Sequence, residues 1–150
     1  MRTVTARSFE SQEWIRLAID GTAIREVVAV RGPTAPTSAD LWVAPAFWDL
    51  QFNGRWGVSF SDPRLTVDKV GEIIRAQAAL GTARLCPTLI TAPIEHMQHG
   101  LRTIARACDE SPDLNTRVLG IHLEGPYISS REGFRGAHPL EATHDPNWGE

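Results

Sequence analysis

No stretch of this sequence approaches the roughly 18 consecutive apolar residues that a membrane-spanning helix needs. The opening segment MRTVTARSFESQEW has no apolar run of the kind that marks a signal peptide. A soluble, cytoplasmic protein without a membrane partner is therefore expected. Cysteine is scarce: Cys86 and Cys108 form no CxxC and match no zinc spacing. Both fall in segments expected to be core, which predicts two buried free thiols in a reducing compartment. Runs of like charge are missing too, and a net charge of −3 gives no electrostatic attraction for nucleic acid. No internal repeat or low-complexity tract is evident. What is present is ordinary globular composition, 42% hydrophobic and 22% charged over 150 residues, enough for one core.

Taken in order, residues 1–32 predict a small β unit. Trp14 to Ile19 alternates, Asp20-Gly21 signals a tight turn, and Ile24, Val27, Val28 and Val30 suit a returning strand. Gly32 to Ser38 is rich in turn residues and marks a boundary, giving one domain over residues 1–40 and another over 41–150. Leu41 to Asn53 reads as one apolar strand with Asp49, Gln51 and Asn53 on its polar face. Thr66 to Leu80 predicts a helix capped by Thr66 or Asp62, with Val67, Val70, Ile73, Ile74 and Ala78 as its apolar stripe. Arg84 to Thr91 is a second strand, and Pro87 within it calls for a bulge or a strand end. Pro93 to Glu110 is a second helix buried through Ile94, Met97, Leu101, Ile104 and Cys108. Its His96 and His99 point away from that stripe and are expected to be solvated. Ser111-Pro112-Asp113 closes the helix.

Arg117 to Pro126, RVLGIHLEGP, then reads as a buried strand ending in a carboxylate at a Gly-Pro turn. His122 and Glu124 share one face, and Leu119, Ile121 and Leu123 the other. Strand, helix, strand, helix, strand in this order implies a parallel sheet, and in parallel barrels the chemistry sits where strands finish. Glu124 there is either a solvated carboxylate or a ligand for a divalent metal. Residues 127–150 are polar and rich in Gly and Pro. They are either a mobile surface loop or a ligand-contacting one, in which Arg131 and Arg135 would suit an anion.

APAFWDLQFNG, Gly81-Thr82 followed by PTLIT, GIHLEGPYIS and GAHP occur in that order, from about Val43 to Pro139. Together they resemble the N-acetylglucosamine-6-phosphate deacetylases of the amidohydrolase superfamily. The resemblance implies an α/β fold: the first three βα units of a TIM-like (β/α)8 metal-dependent hydrolase barrel, preceded by strands of a small β-sandwich. It makes Glu124 a ligand of one divalent metal ion, zinc, and places Ala137 and His138 against an amino sugar phosphate, with His138 near the phosphate. His122 becomes support beside the metal ligand. Gln51 and Asn53 take the positions where many amidohydrolases carry a His-x-His pair for a second metal, so a single-metal site with these amides as polar lining is implied. The implied reaction is hydrolysis of the acetamide to acetate and an amino sugar phosphate, and a homodimer is expected of the full-length form.

One departure from that family is large. Its two further histidine ligands and its catalytic aspartate lie on later strands and have no counterpart before Glu150, and His144 follows the third strand too soon to be either histidine. A whole barrel takes ~250 residues. The expectation is the N-terminal part of a longer enzyme, with no catalytic residue of its own and no deacetylase turnover in isolation. The competing readings are a non-catalytic remnant that binds a sugar phosphate or a partner chain, and another amidohydrolase acting on a different amide.

Overall fold

The structure is a computed structural model that describes residues 1–31 and 41–149. The linker expected at Gly32 to Ser38 lies outside the described residues. The chain divides into two units, Met1–Pro45 and Ala46–Glu150.

The first unit is a four-stranded sheet in the order β3-β2-β1-β4. It is built from β1 (Arg2–Ser8), β2 (Trp14–Asp20), β3 (Ala23–Ala29) and β4 (Trp42–Val43). The hairpin at Gly21-Thr22 pairs Asp20 with Ala23, as the turn signal requires, and the return strand ends at Ala29. β1 runs antiparallel to β2 and parallel to β4. Ala6, Leu17 and Ala18 are its buried apolar residues. The run from Leu41 to Asn53 is therefore not one strand. Its first part joins this sheet, and Ala44-Pro45-Ala46 separates it from β5.

In the second unit three strands pair in parallel, in the order β5-β8-β9. These are β5 (Phe47–Phe52), β8 (Thr82–Ile90) and β9 (His122–Glu124). A short antiparallel ladder follows β5, made of β6 (Gly54–Arg55) and β7 (Val58–Ser59). Helix α1 (Val67–Ala78) starts where expected: Thr66 is extended and its hydroxyl accepts from the Lys69 N–H. Val70, Ile73 and Ile74 are buried, whereas Val67 and Ala78 stay partly exposed. Pro87 sits in β8 opposite Phe52, where the register with β5 shifts, so its missing donor falls at an irregularity of the ladder.

Helix α2 (Ile94–Glu110) buries Met97, Gly100, Thr103, Ile104 and Ala107. Its burial face is thus rotated toward small residues, and Leu101 and Cys108 lie at its margin. His99 is not a solvated surface histidine. It is partly buried, and its Nε2 lies 2.9 Å from the Leu65 carbonyl oxygen, to which that nitrogen donates. Both cysteines are free thiols, only partly buried rather than fully so.

Ser111-Pro112-Asp113 does not simply close α2. It opens a short helix, α3 (Pro112–Arg117), capped by the Ser111 hydroxyl accepting from the Leu114 N–H. Serine followed by proline is a helix-start signature. The expected strand from Arg117 to Pro126 shrinks accordingly. Arg117 ends α3, Val118 makes an isolated bridge to Leu85, and only His122–Glu124 forms a ladder with β8.

Phe60, Leu65, Val70, Ile73, Ile74, Leu85, Leu89, Ile104, Ala107 and Leu114 form the core of this unit. Among the described residues no helix is long and apolar enough to cross a membrane.

Gly100 is a packing requirement. A Cβ there would sit 2.3 Å from Leu89 Cδ2 and 2.5 Å from the Phe60 carbonyl oxygen. Alanine usually stabilises a helix interior relative to glycine by ~1 kcal/mol. Here Gly100→Ala is expected to reverse that sign and cost about 1–3 kcal/mol through overpacking, read as a lower urea midpoint. The Cys108 thiol is pushed up from its ordinary range by burial and by the Asp109 carboxylate. Fewer thiolates form at mildly alkaline pH, so iodoacetamide should label Cys108 more slowly in the native chain than in urea, as peptide mass mapping will show.

Candidate active site at the strand ends

Three parallel strands aligned side by side bring their carboxyl ends to one place. Asn53 follows β5, Thr91 follows β8 and Glu124 ends β9. Together with Ile90, Ala137, His138 and Pro139, they line a cavity of about 200 Å³. Hollows of about 530 Å³ lie along α1 and α2, lined largely by exposed helix residues. The polar groups converge instead on the small cavity at the strand ends.

Glu124 is its hub. The Gln51 side-chain amide donates to Glu124 Oε2 at 2.6 Å. His138 Nε2 lies 3.5 Å from Glu124 Oε1, and both side chains are largely shielded, 19% and 29% exposed. The amide contact occupies Oε2, and Oε1 is the oxygen beside His138. His138 arrives from the long segment after β9. That segment is pinned back by the His144 N–H donating to the Pro126 carbonyl oxygen and by the Tyr127 hydroxyl donating to the Asn147 carbonyl oxygen. Within it, Arg135 Nη1 donates to the His138 carbonyl oxygen. The guanidinium of Arg131 lies over the Phe134 ring.

The structure therefore brings Gln51, Asn53, Glu124, Ala137 and His138 together. His122 stands two residues back on β9, its Nδ1 3.4 Å from Thr88 Oγ1, and it does not line the cavity. Thr91 is the residue that sequence reasoning passes over. Its hydroxyl donates to the Glu124 carbonyl oxygen at 3.1 Å and lies 2.9 Å from His138 Nδ1. In the sequence it appears only as the end of the strand Arg84 to Thr91 and of PTLIT, whereas the structure ends that strand at Ile90.

As metal donors these side chains amount to one carboxylate and at most one imidazole. Among the described residues no group of three or more His, Cys, Asp or Glu gathers. Catalytic zinc takes three protein ligands, so this donor set does not by itself make a zinc site.

Comparison with known proteins accords with the architecture. No family model matches the chain. An N-acetylglucosamine-6-phosphate deacetylase from Danio rerio is 41% identical over 99 residues, a match covering 65% of this chain and 23% of that one. An N-acetylgalactosamine-6-phosphate deacetylase from Escherichia coli O157:H7 is 29% identical over 141 residues, covering 93% of this chain and 35% of that one. The crystal structure of N-acetylglucosamine-6-phosphate deacetylase from Thermotoga maritima superposes with a TM-score of 0.76 at 22% identity, over 98% of this chain and 38% of that chain. In sequence the chain is similar to a part of these deacetylases, and it shares the fold of the solved one. The matched segment spans about a quarter to two fifths of those relatives.

Gly125 tests how tightly the site is built. Its φ is +93°, and a Cβ there would lie 1.9 Å from Thr91 Oγ1. Gly125→Ala is expected to cost about 1–3 kcal/mol, from left-handed strain together with displacement of Thr91. The measurement is a urea midpoint shift at unchanged slope.

Proposed function

We propose that this chain forms the first part of a metal-dependent deacetylase that hydrolyses the acetamide of N-acetylglucosamine 6-phosphate to glucosamine 6-phosphate and acetate. The observation that carries the reading is the convergence of Gln51 and Glu124, from two strands of one parallel sheet, with His138 from the segment after β9. The relatives' names give the substrate class, a 6-phosphorylated N-acetyl amino sugar, and both glucosamine- and galactosamine-type enzymes are among them.

Each residue has a part that its contacts support. Glu124 supplies one carboxylate ligand to a divalent metal, zinc. Gln51 orients that carboxylate through its amide. Asn53, Ala137 and His138 line the face that meets the amino sugar phosphate, and His122 supports β9 from behind. The other metal donors and the general base come from sequence beyond these residues. Acyl transfer to water needs a base that takes a proton and returns it to the leaving amine.

The sheet of the second unit is read as the opening of a TIM-like barrel. Among the described residues β5 and β9 are its two edges, and Trp48, Leu50 and Leu123 remain exposed on them. Closure by further βα units would pair both edges and cover those side chains. A cytoplasmic location and a homodimer of the complete enzyme belong to the same proposal.

Reading the coding DNA past the Glu150 codon is the direct check. An open frame with two histidines and an aspartate at later strand ends is expected; a stop codon would favour a sugar-phosphate-binding remnant. Residues 1–150 alone should release no acetate from N-acetylglucosamine 6-phosphate. In the complete polypeptide Glu124→Gln should lower kcat/KM at least ~100-fold, the upper end of what losing a residue that merely supports a metal ligand costs.

A further inference from the structure

A strand of strict period two would set Asp49 and Gln51 on one face of β5. The register with β8 is different. Asp49 lies level with Leu85 and Phe52 with Pro87, so β5 advances three residues where β8 advances two. One extra residue on one strand is a β-bulge, and the side chains beyond it change face. Phe52 accordingly joins the core face. It packs against the buried cluster and meets the Phe60 ring edge-on, 5.9 Å between centroids. Gln51, its neighbour in the strand, is turned to the opposite face. That is the face of Glu124, which lies level with Ile90, whereas the adjacent Leu89 is buried in the core. From there the Gln51 side-chain amide reaches Glu124 Oε2 at 2.6 Å.

The bulge has a local cause. Asp49 Oδ1 accepts the Gln51 main-chain N–H at 3.1 Å. An aspartate that binds the N–H two residues on offers the backbone an alternative to the regular ladder, the arrangement of an Asx turn. Its carboxylate therefore takes up a main-chain donor at the place where β5 departs from β8. We propose that Asp49 is a positioning residue: by accepting the Gln51 main-chain N–H it holds the bulge that turns the Gln51 side-chain amide onto Glu124. Asp49 does not itself line the cavity and acts through Gln51. The bearing of this on catalysis rests on the deacetylase reading, whereas the geometry does not.

The test reads the Gln51 side chain directly. In ¹H–¹⁵N spectra of the ¹⁵N-labelled 150-residue chain, its NH₂ pair is assigned by its disappearance in Gln51→Glu. In the wild type the proton donated to Glu124 should stand well downfield of its twin. Asp49→Asn keeps an acceptor oxygen and should keep that pattern. In Asp49→Ala the pair should move to the positions of a solvated glutamine. The Gln51 main-chain N–H should then exchange about fivefold faster, as loss of one hydrogen bond implies. Gly100→Ala strains the same unit and should leave both signals in place, which separates aiming from general stability. In the complete polypeptide Asp49→Ala and Gln51→Ala should lower kcat by the same factor, and the double variant no further. A solvated-glutamine pattern in the wild type overturns the inference, and so does an unmoved pair in a folded Asp49→Ala chain. If Asp49→Ala does not fold, Asp49→Val, which suits a strand and offers no acceptor, takes its place. Neither metal nor substrate enters the spectra, so their outcome is independent of acetate release, which tests the deacetylase reading alone.

Discussion

The second unit depends on β8 pairing in parallel with a neighbour on each side. β8 is its central strand, and Leu85 and Leu89 on one of its faces are essentially inaccessible beneath the helices. Each such leucine contributes about 1.5–3 kcal/mol of burial. The other face carries Thr88 and Ile90, which lie level with His122 and Glu124 of β9. Parallel direction does the rest: when neighbouring strands run the same way, their carboxyl ends meet, and polar residues held back to those ends become neighbours without any contact in sequence. Gln51 and Glu124 are 73 residues apart and 2.6 Å from each other for this reason.

Much of this frame was legible. Helix α1 could be read from its Thr66 cap and apolar stripe, and the gathering of polar residues at strand ends from the period-2 pattern of WDLQFN and GIHLEG. What escaped had physical causes. Ser111-Pro112-Asp113 looks like a stop because it breaks the preceding helix, yet a hydroxyl followed by proline also starts a helix, and both happen here. The apolar run from Leu41 conceals a change of sheet, since hydrophobicity does not say which sheet a residue joins. His99 lies off the apolar stripe of its own helix but meets the Leu65 carbonyl from another segment, which periodicity within α2 cannot register. Thr91 reads only as the last residue of a strand and of PTLIT, and nothing in that pattern points its hydroxyl at a histidine.

Glu124 illustrates how little of a site a single residue specifies. Its side chain meets an amide and an imidazole, and its main-chain carbonyl meets the Thr91 hydroxyl. Each partner comes from a different part of the chain: β5, the segment after β9, and the end of β8. The carboxylate is consequently oriented by the sheet as a whole. The site is coupled to the core through β8, whose buried face and polar end belong to the same nine residues.

Pro87 gives that coupling a direction. In most strands a slip of one residue exchanges every side chain between the two faces, and nothing local forbids it. Pro87 has no N–H to offer, so it is tolerated opposite Phe52 only because the ladder is already irregular there. Moved one place along β5, it would set a missing donor against a regular rung, leave an orphan carbonyl, and turn Leu50 inward where Gln51 now reaches Glu124. The proline thus suits the register in which the Gln51 amide reaches the Glu124 carboxylate.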